Sequence, residues 1–285
     1  MTPPSTPSAP FPAAVATEAS LLPFGDGQAR PRAMMVAAET PVALAYSSVP
    51  FAVMMATPAD LEDFAYGFSL TEGIVSYPGE IRDVALRPED RGLALDITLA
   101  PAALRRHLAQ RRARERNLPG RTGCGLCGVE GLEALPAAPP PATPAPALEL
   151  GAIRTALDAM EAAQVLNQET RAVHAAAWAG PDGTLRLLRE DVGRHNALDK
   201  LIGAALRAGE SPVDGFLLIT SRCSFEMVEK AAAFGARSLV AISAPTSLAL
   251  ERARALDMTL LAVARRDSVT VFHGAARVTG LECLA

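Results

Sequence analysis

The sequence feature that most constrains the fold is a regular alternation in the last third of the chain. Apolar segments GFLLIT, SLVAIS and TLLAVA are separated by amphipathic segments FEMVEKAAAFG and LALERARALD. Apolar strands that alternate with helices are typical of a parallel sheet covered on both faces. The sequence therefore predicts an α/β domain over residues 151–285. It opens with an amphipathic helix over 151–166, whose inward positions are Ile153, Leu157, Met160 and Val165.

Polar residues follow each of these predicted strands. They occupy residues 220–222, 243–247 and 265–268. Ligands of open α/β sheets bind outside the carboxyl ends of the strands, and helix N-termini suit phosphate. The pattern therefore favours an anionic, phosphate-bearing ligand. For Ser224 and Ser247 a purely structural role as helix N-caps is an equal alternative.

A hairpin and a helix precede the alternation. The segment HAAAWAGPDGTLRLLREDVG predicts two strands joined by a Pro-Asp-Gly turn, and a helix follows that ends near Gly209. Between them lies Glu190–Asn196, which holds two acids, an arginine and a histidine. This segment has two open interpretations: a site for a polar ligand, or a salt-bridged start of the helix.

The first half of the chain predicts a smaller α+β domain over residues 31–135. Short strands split by Pro41 and Pro50 precede a helix that begins near Asp60 and ends at Gly73, and residues 80–100 form a further strand pair. The core face of this helix carries Leu61, Phe64, Ala65 and Phe68. Residues 1–30, rich in Pro and Ala, are expected to be disordered, and the Pro-rich residues 136–150 form a linker.

A basic helix is predicted from Pro101 onward. Its charges are almost all positive: Arg105, Arg106, Arg111, Arg112, Arg114, Arg116. Such a run is typical of a solvated face. The alternative is a docking surface for an acidic partner or an anionic cofactor.

A C-x-x-C pair, Cys124 and Cys127, follows that helix in the glycine-rich stretch RTGCGLCG. Glycines keep the backbone pliable, and nearby arginines favour a thiolate. Thiol chemistry, half of a zinc site and a redox pair all fit the spacing. A closed zinc site needs two further ligands, and the remaining cysteines and the four histidines supply no second close pair.

Composition and charge exclude several classes of protein. The formal net charge of −4 does not suit a nucleic-acid-binding polycation. Four cysteines in 285 residues indicate a reducing compartment. There is neither an apolar run of membrane-spanning length nor a secretory signal pattern. We therefore expect a cytoplasmic protein that binds neither membrane nor nucleic acid.

Several long motifs resemble those of one family. The segments RTGCGLCGVE, EDVGRHNALDKLIG, TSRCSFEMVEKAA and SAPTSLALE occur in the order typical of the FdhD family, the formate dehydrogenase accessory sulfurtransferases. The upstream segment ETPVALAYSSVPFAVMMATPADLEDFAYGFSLTEGI is also similar to that family. The resemblance covers residues 39–272 apart from the Pro-rich linker.

The resemblance implies a function, partners and a fold. Family members are cytoplasmic homodimers that take persulfide sulfur from a cysteine desulfurase. They pass it to the molybdenum bis(molybdopterin guanine dinucleotide) cofactor that formate dehydrogenase requires, and they bind this cofactor as the sulfur acceptor. The larger domain is expected to have a three-layer, cytidine-deaminase-like fold, with no structural metal.

The resemblance also assigns site residues. Cys124 matches the cysteine that carries the persulfide, and Cys127 matches the second cysteine, which assists. The family's cofactor loop, G-F-A-R-x-x-R, falls on Val263, Ala264, Arg265, Arg266, Asp267 and Ser268. Here Ala262 and Val263 replace the usual Gly-Phe, and Ser268 replaces a frequent arginine. Cys223 is not expected to be catalytic.

Three other functions compete with this hypothesis. A zinc deaminase needs H-x-E and P-C-x-x-C, but no histidine here is followed by x-Glu, and Gly123 stands before Cys124. A chaperone that binds the cofactor without moving sulfur would not need Cys124. A zinc-stabilised binding module would contain stoichiometric metal.

Overall fold

A computed structural model describes residues 11–25, 27–114 and 144–280. Its helices are α1 (Leu61–Thr71), α2 (Pro101–Arg114), α3 (Leu150–Ala163), α4 (Val165–Thr170), α5 (Arg194–Ala208), α6 (Phe225–Phe234) and α7 (Ser247–Ala255). The strands of the first half are β1 (Ala14–Leu21), β2 (Arg30–Ala37), β3 (Thr40–Tyr46), β4 (Val49–Ala56), β5 (Ile81–Glu89) and β6 (Gly92–Leu99). Those of the second half are β7 (Leu148–Glu149), β8 (His174–Ala179), β9 (Leu185–Asp191), β10 (Phe216–Ile219), β11 (Ser238–Ala241), β12 (Thr259–Ala262), β13 (Thr270–His273) and β14 (Val278–Thr279).

The first half forms a four-stranded sheet in the order β4-β3-β6-β5. Strands β3 and β6 run parallel, and the outer strands pair antiparallel to them. The prediction that Pro41 and Pro50 separate the strands is wrong, because Pro41 lies in β3 and Pro50 in the edge strand β4. The break lies instead at Ser47 and Ser48, whose positive φ angles of 50° and 67° form a tight hairpin turn. Each proline lies next to the first residue of its strand, a position the sheet tolerates.

The expected disorder over residues 1–30 does not hold for strand β1. Its residues pair antiparallel with β2 along its full length. Most side chains of this ribbon are exposed. The strand therefore depends on paired backbone groups rather than on a buried face, and the apolar pattern of the sequence gives no sign of it.

The predicted core face of helix α1 packs on the four-stranded sheet. The side chains of Leu61, Phe64, Ala65 and Phe68 are buried in one apolar cluster with β3 and β6. The chain turns away just after the helix, at Gly73, whose φ is +67°. A left-handed φ of this kind favours glycine after a helix.

The second half forms a six-stranded sheet in the order β13-β12-β11-β10-β8-β9. Strands β10, β11 and β12 are parallel, whereas β8 and β13 flank them antiparallel. Helices α5, α6 and α7 share one buried cluster with the sheet, and α3 lies in the cluster on the opposite face. The alternation in the sequence is therefore confirmed, and the molecule is a mixed α/β protein with several sheets. No helix in the described part of the chain is long and apolar enough to span a membrane.

Helix α3 is shorter than the sequence predicts. Ile153 and Met160 are buried and Leu157 is partly buried, as expected, but Val165 is 62% exposed. The helix ends at Ala163, and Gln164, with ψ 71°, begins the separate helix α4. This change of direction turns Val165 out of the register of α3.

The two halves meet where helix α1 crosses helix α5. A Cβ atom on Gly67 would lie 1.7 Å from the carbonyl oxygen of Asp199, and one on Gly203 would lie 1.8 Å from that of Asp63. Only glycine permits so close an approach of two backbones. The crossing joins the body of α5 to the first half of the chain.

Candidate functional site

The carboxyl ends of the three parallel strands lie along one edge, as predicted. We define the carboxyl edge as residues 220–224, 243–247 and 263–268. Backbone contacts continue beyond the strands there: Cys223 bridges to Pro245, and the N–H of Val263 donates to the carbonyl of Ser243 at 3.2 Å. The polar segments of the carboxyl edge therefore form one continuous surface, which we also call the rim.

The predicted cofactor loop, residues 263–268, forms a tight turn at the β12 end of this rim. Val263 has a left-handed φ of +54°, and the N–H of Arg265 donates to the carbonyl of Ser268 at 2.7 Å. The side chain of Ala264 is buried, whereas residues 265–268 are exposed. The last four residues of the predicted set therefore present side chains to solvent, whereas Val263 is partly buried.

The polar side chains of this loop already have partners within the protein. Arg265 Nη1 donates to the carbonyls of Ile242 at 2.6 Å and Ala264 at 2.8 Å. Arg266 pairs with Glu161 at 2.7 Å, which raises the pKa of Arg266. Ser268 donates to the Asp267 carboxylate at 3.0 Å. A ligand at this loop would use the remaining guanidinium N–H groups of Arg265 or displace these contacts.

Helices α6 and α7 begin on the rim, and neither is capped by the serine that the sequence predicts. Thr246, not Ser247, caps α7 by accepting the N–H of Ala249 at 3.3 Å. Ser224 stands at the start of α6, but its hydroxyl donates to the Glu226 carboxylate at 2.7 Å and does not cap the helix. The capping interpretation is therefore wrong for both serines.

Cys223 lies within the rim but is fully buried. Burial raises the pKa of its thiol to about 12. A thiol that stays protonated and out of contact with solvent is a poor nucleophile at neutral pH. The structure gives Cys223 a packing role.

The acids of the segment 190–196 are structural. Glu190 accepts the N–H groups of Leu166 and Asn167, both at 2.9 Å, and so caps α4. Asp191 is fully buried and pairs with Lys200 Nζ at 2.6 Å. The salt-bridged interpretation of this segment is therefore confirmed for Asp191, whereas Glu190 caps α4.

Asp191 also joins the two halves of the chain. Its carboxylate accepts the N–H groups of Thr57 at 2.9 Å and Gly193 at 2.7 Å. Lys200 in turn donates to the carbonyl of Thr57 at 2.8 Å. Lys200 was not predicted from the sequence, although one signal was present: the chain has only two lysines, and both lie in predicted helices near charged segments. The other, Lys230, is also buried and pairs with Asp199 at 2.9 Å.

The bases of the same segment, Arg194 and His195, behave differently from its acids. They begin helix α5, and the Nε of Arg194 and the Nε2 of His195 are buried with no hydrogen-bond partner in the described ranges. Burial, then the charges of Arg194 and Lys230, lower the pKa of His195 to about 4, although Glu226 opposes the shift. The imidazole is therefore neutral at physiological pH.

His174 joins this group from strand β8. It lies opposite Asp191 in the pairing of β8 with β9, at the same end of the sheet as Thr220. Burial and then the charge of Arg194 lower its pKa. The structure thus brings His174, Arg194, His195 and Glu226 together beside the rim, which the sequence indicated only for the two adjacent bases.

The predicted cysteine pair lies outside the part of the chain that can be described. Cys124 and Cys127 fall in the undescribed residues, so their roles stay predictions. In the basic helix α2, Arg105 is exposed, but Arg106 pairs with Glu80 at 2.7 Å. Residues 11–25, 27–114 and 144–280 contain no group of three or more His, Cys, Asp or Glu side chains placed to hold a metal ion.

Fold and rim together define an α/β protein whose parallel strands end in a polar, arginine-bearing edge. Within this class, the chain belongs to the FdhD/NarQ family, whose model matches residues 37–279.

Curated relatives agree with this assignment. The chain is 50% identical over 244 residues to a protein named sulfur carrier protein FdhD from Xanthomonas campestris pv. campestris strain B100, covering 86% of this chain and 85% of the relative. It is 47% identical over 243 residues to a protein of the same name from Bordetella petrii, covering 85% of this chain and 86% of the relative.

A solved structure has the same fold. It is described as a candidate formate dehydrogenase accessory protein from Desulfotalea psychrophila, and it matches with a TM-score of 0.73 at 24% identity. The match covers 94% of this chain and all of the other.

Proposed function

We propose that this protein carries sulfur for the maturation of a formate dehydrogenase. The observation that carries this proposal is the likeness to relatives named sulfur carrier protein FdhD over 86% of the chain. The acceptor is the molybdenum bis(molybdopterin guanine dinucleotide) cofactor, and the donor is a cysteine desulfurase.

Cys124 is the proposed carrier of the sulfur. Its thiolate attacks the outer sulfur of the desulfurase persulfide, so a new S–S bond forms at Cys124 and the desulfurase cysteine leaves as a thiolate. The step is a thiol–disulfide exchange and needs no external oxidant. Cys223 does not compete for the sulfur, because its thiol is buried.

Cys127 completes the chemistry of release. Attack of its thiolate on the inner sulfur of the Cys124 persulfide forms a Cys124–Cys127 disulfide and expels hydrosulfide toward the acceptor. The two electrons that reduce the sulfur come from the two cysteines, and a dithiol reductant then restores them. This gives the C-x-x-C spacing a chemical purpose, since the two thiols must meet in one disulfide.

The acceptor is proposed to bind at the carboxyl edge, with residues 263–268 at one end. Support comes from the exposed guanidinium of Arg265 and from the N-termini of α6 and α7 on the same rim. The helices on both faces of the six-stranded sheet also support a cytidine-deaminase-like fold for residues 151–285. We further propose the smaller α+β domain over 31–135, a cytoplasmic location and a homodimer.

The test is a mass measurement. The reduced protein is incubated with a cysteine desulfurase and cysteine, and its peptides are weighed. We expect one added sulfur atom on the Cys124 peptide, removable by a thiol reductant and absent from Cys124→Ala. Cys283→Ala is the matched control and should load normally. An unmodified Cys124 beside an active desulfurase would overturn the proposal and favour a chaperone that only binds the cofactor.

A further inference from the structure

Arg194 is the one arginine that is at least partly buried and lacks an ion pair in the described part of the chain. Each of the other partly or fully buried arginines pairs with a carboxylate: Arg106 with Glu80, Arg189 with Asp63, Arg237 with Asp257, Arg252 with Glu229, and Arg277 with Asp257. Arg194 has no such ion pair among the described residues, and its Nε is buried without an acceptor. The charge of Arg194 helps to lower the pKa of Glu226, but the two side chains form no ion pair. A partly buried cation with an unpaired N–H and no ion pair is unfavourable, so Arg194 is suited to an anion from outside the protein.

The surroundings of Arg194 supply further hydrogen-bonding groups and positive charge. His195 presents a second buried nitrogen that has no hydrogen-bond partner among the described residues. His174 lies near enough to interact electrostatically with Arg194 and with His195. Arg194 and Lys230 both contribute positive charge at His195. The opposing carboxylate is that of Glu226, and it is held at 2.7 Å by the hydroxyl of Ser224.

The support beneath these side chains is fixed. Asp191 accepts the N–H of Gly193 at 2.7 Å, immediately before Arg194. Asn196, immediately after His195, donates from Nδ2 to the carbonyl of Met55 at 2.8 Å and to Asp191 at 3.1 Å. The first turn of α5 is therefore anchored on both sides of the two bases, as a preorganised site requires.

We infer that Arg194 and His195 form a second binding site on this rim, for a phosphate group of a small molecule. A guanidinium matches phosphate with parallel hydrogen bonds, a neutral imidazole adds an N–H donor, and the N-terminus of a 15-residue helix adds its dipole. The site lies beside β8, three strand positions from residues 263–268, or roughly 14 Å. The use of this site by the sulfur acceptor rests on the proposed function. The binding of phosphate at the site does not depend on that function.

The first experiment follows the histidine side chains of the wild-type protein by NMR during a titration with inorganic pyrophosphate. A bound anion should raise the pKa of His195 by about one unit or more, since opposite charge favours the protonated form. The protein with bound pyrophosphate and the free protein have the same charged and titratable groups facing His195, namely Arg194, Lys230, Glu226 and His174. His273 is the internal control, because it pairs with Leu260 at the opposite edge of the sheet and should not respond.

The second experiment measures pyrophosphate affinity in variants. Arg194→Gln should weaken binding by about tenfold or more, because a hydrogen bond between charged groups is lost. Arg254→Gln, an exposed arginine in the last turn of α7, should bind as the wild type does. Absence of a saturable change at His195, or equal affinity in Arg194→Gln, would overturn the inference.

A parallel titration with GDP separates the sources of the phosphate. Tighter binding of GDP than of pyrophosphate would assign the site to a phosphate ester, and equal affinity would assign it to the free anion; both support the site. A negative result for the phosphate site would not count against the proposed sulfur-carrier function, because persulfide loading of Cys124 is measured without any phosphate ligand.

Discussion

The two ends of the carboxyl edge are built in opposite ways. At the β12 end, the exposed loop 265–268 carries polar groups that bond to one another or to neighbouring residues. At the β8 end, Arg194 and His195 are partly buried and each has a buried nitrogen without a partner in the described ranges. Beneath them lies the fully buried pair of Asp191 and Lys200.

The difference shows that exposure and availability are separate properties. The arginines of the loop are accessible, but part of their hydrogen-bonding capacity is used by carbonyls and by Glu161. Arg194 is less accessible, yet its buried Nε has no acceptor among the described residues. A desolvated donor that is held in place contributes more binding free energy to a ligand than a solvated donor does. The reason is that no hydrogen bond to water or to the protein must be broken first.

The largest expected effect comes from breaking the support of the β8 end. Lys200→Met removes one member of a fully buried ion pair and leaves the Asp191 carboxylate without its counter-charge. We expect a loss of about 3–5 kcal/mol in the free energy of unfolding, measured by urea denaturation. The double variant Asp191→Asn/Lys200→Met removes both charges and should recover part of the loss. A Lys200→Met protein within about 1 kcal/mol of the wild type would contradict this account.

A smaller effect is expected from pH at the same end. The pKa of His195 is about 4 in the folded protein, below its ordinary value, so the unfolded chain binds the proton first as pH falls. Stability should therefore decline as pH falls from about 6.5 through about 4, with up to about 3 kcal/mol from this group. In His195→Gln, the loss of stability between pH 7 and pH 4.5 should be smaller by about 2 kcal/mol. Equal losses in the two proteins would show that His195 titrates normally.

The smallest effect is expected at the β12 end. Arg266 and Glu161 have side chains that are 79% and 65% exposed. Their ion pair is solvated, so Arg266→Gln should leave the urea midpoint unchanged. Arg106→Gln is the comparison, because its partner Glu80 is only 9% exposed. Arg106→Gln should lower the urea midpoint. Equal midpoints for the two variants would remove the distinction between a solvated pair and one with a buried carboxylate.

Much of the fold followed from local pattern. The strands and helices between residues 174 and 262 lie where apolar runs and turn residues predict them, and the core face of α1 is as expected. The misses have local causes. Gln164 divides a helix that periodicity alone extends to Val165, and the β1–β2 ribbon is held by backbone pairing that leaves no apolar signature.

The sequence by itself determined the family, the alternation that builds the parallel sheet, and the position of the loop at residues 263–268. It did so because motifs and hydrophobic periodicity are properties of neighbouring residues. Tertiary structure alone decided which charges are paired. Lys200 reaches Thr57 and Arg189 reaches Asp63 across sequence separations of 143 and 126 residues, which no local pattern encodes. The crossing of helices α1 and α5 at Gly67 and Gly203 is a contact of the same long-range kind.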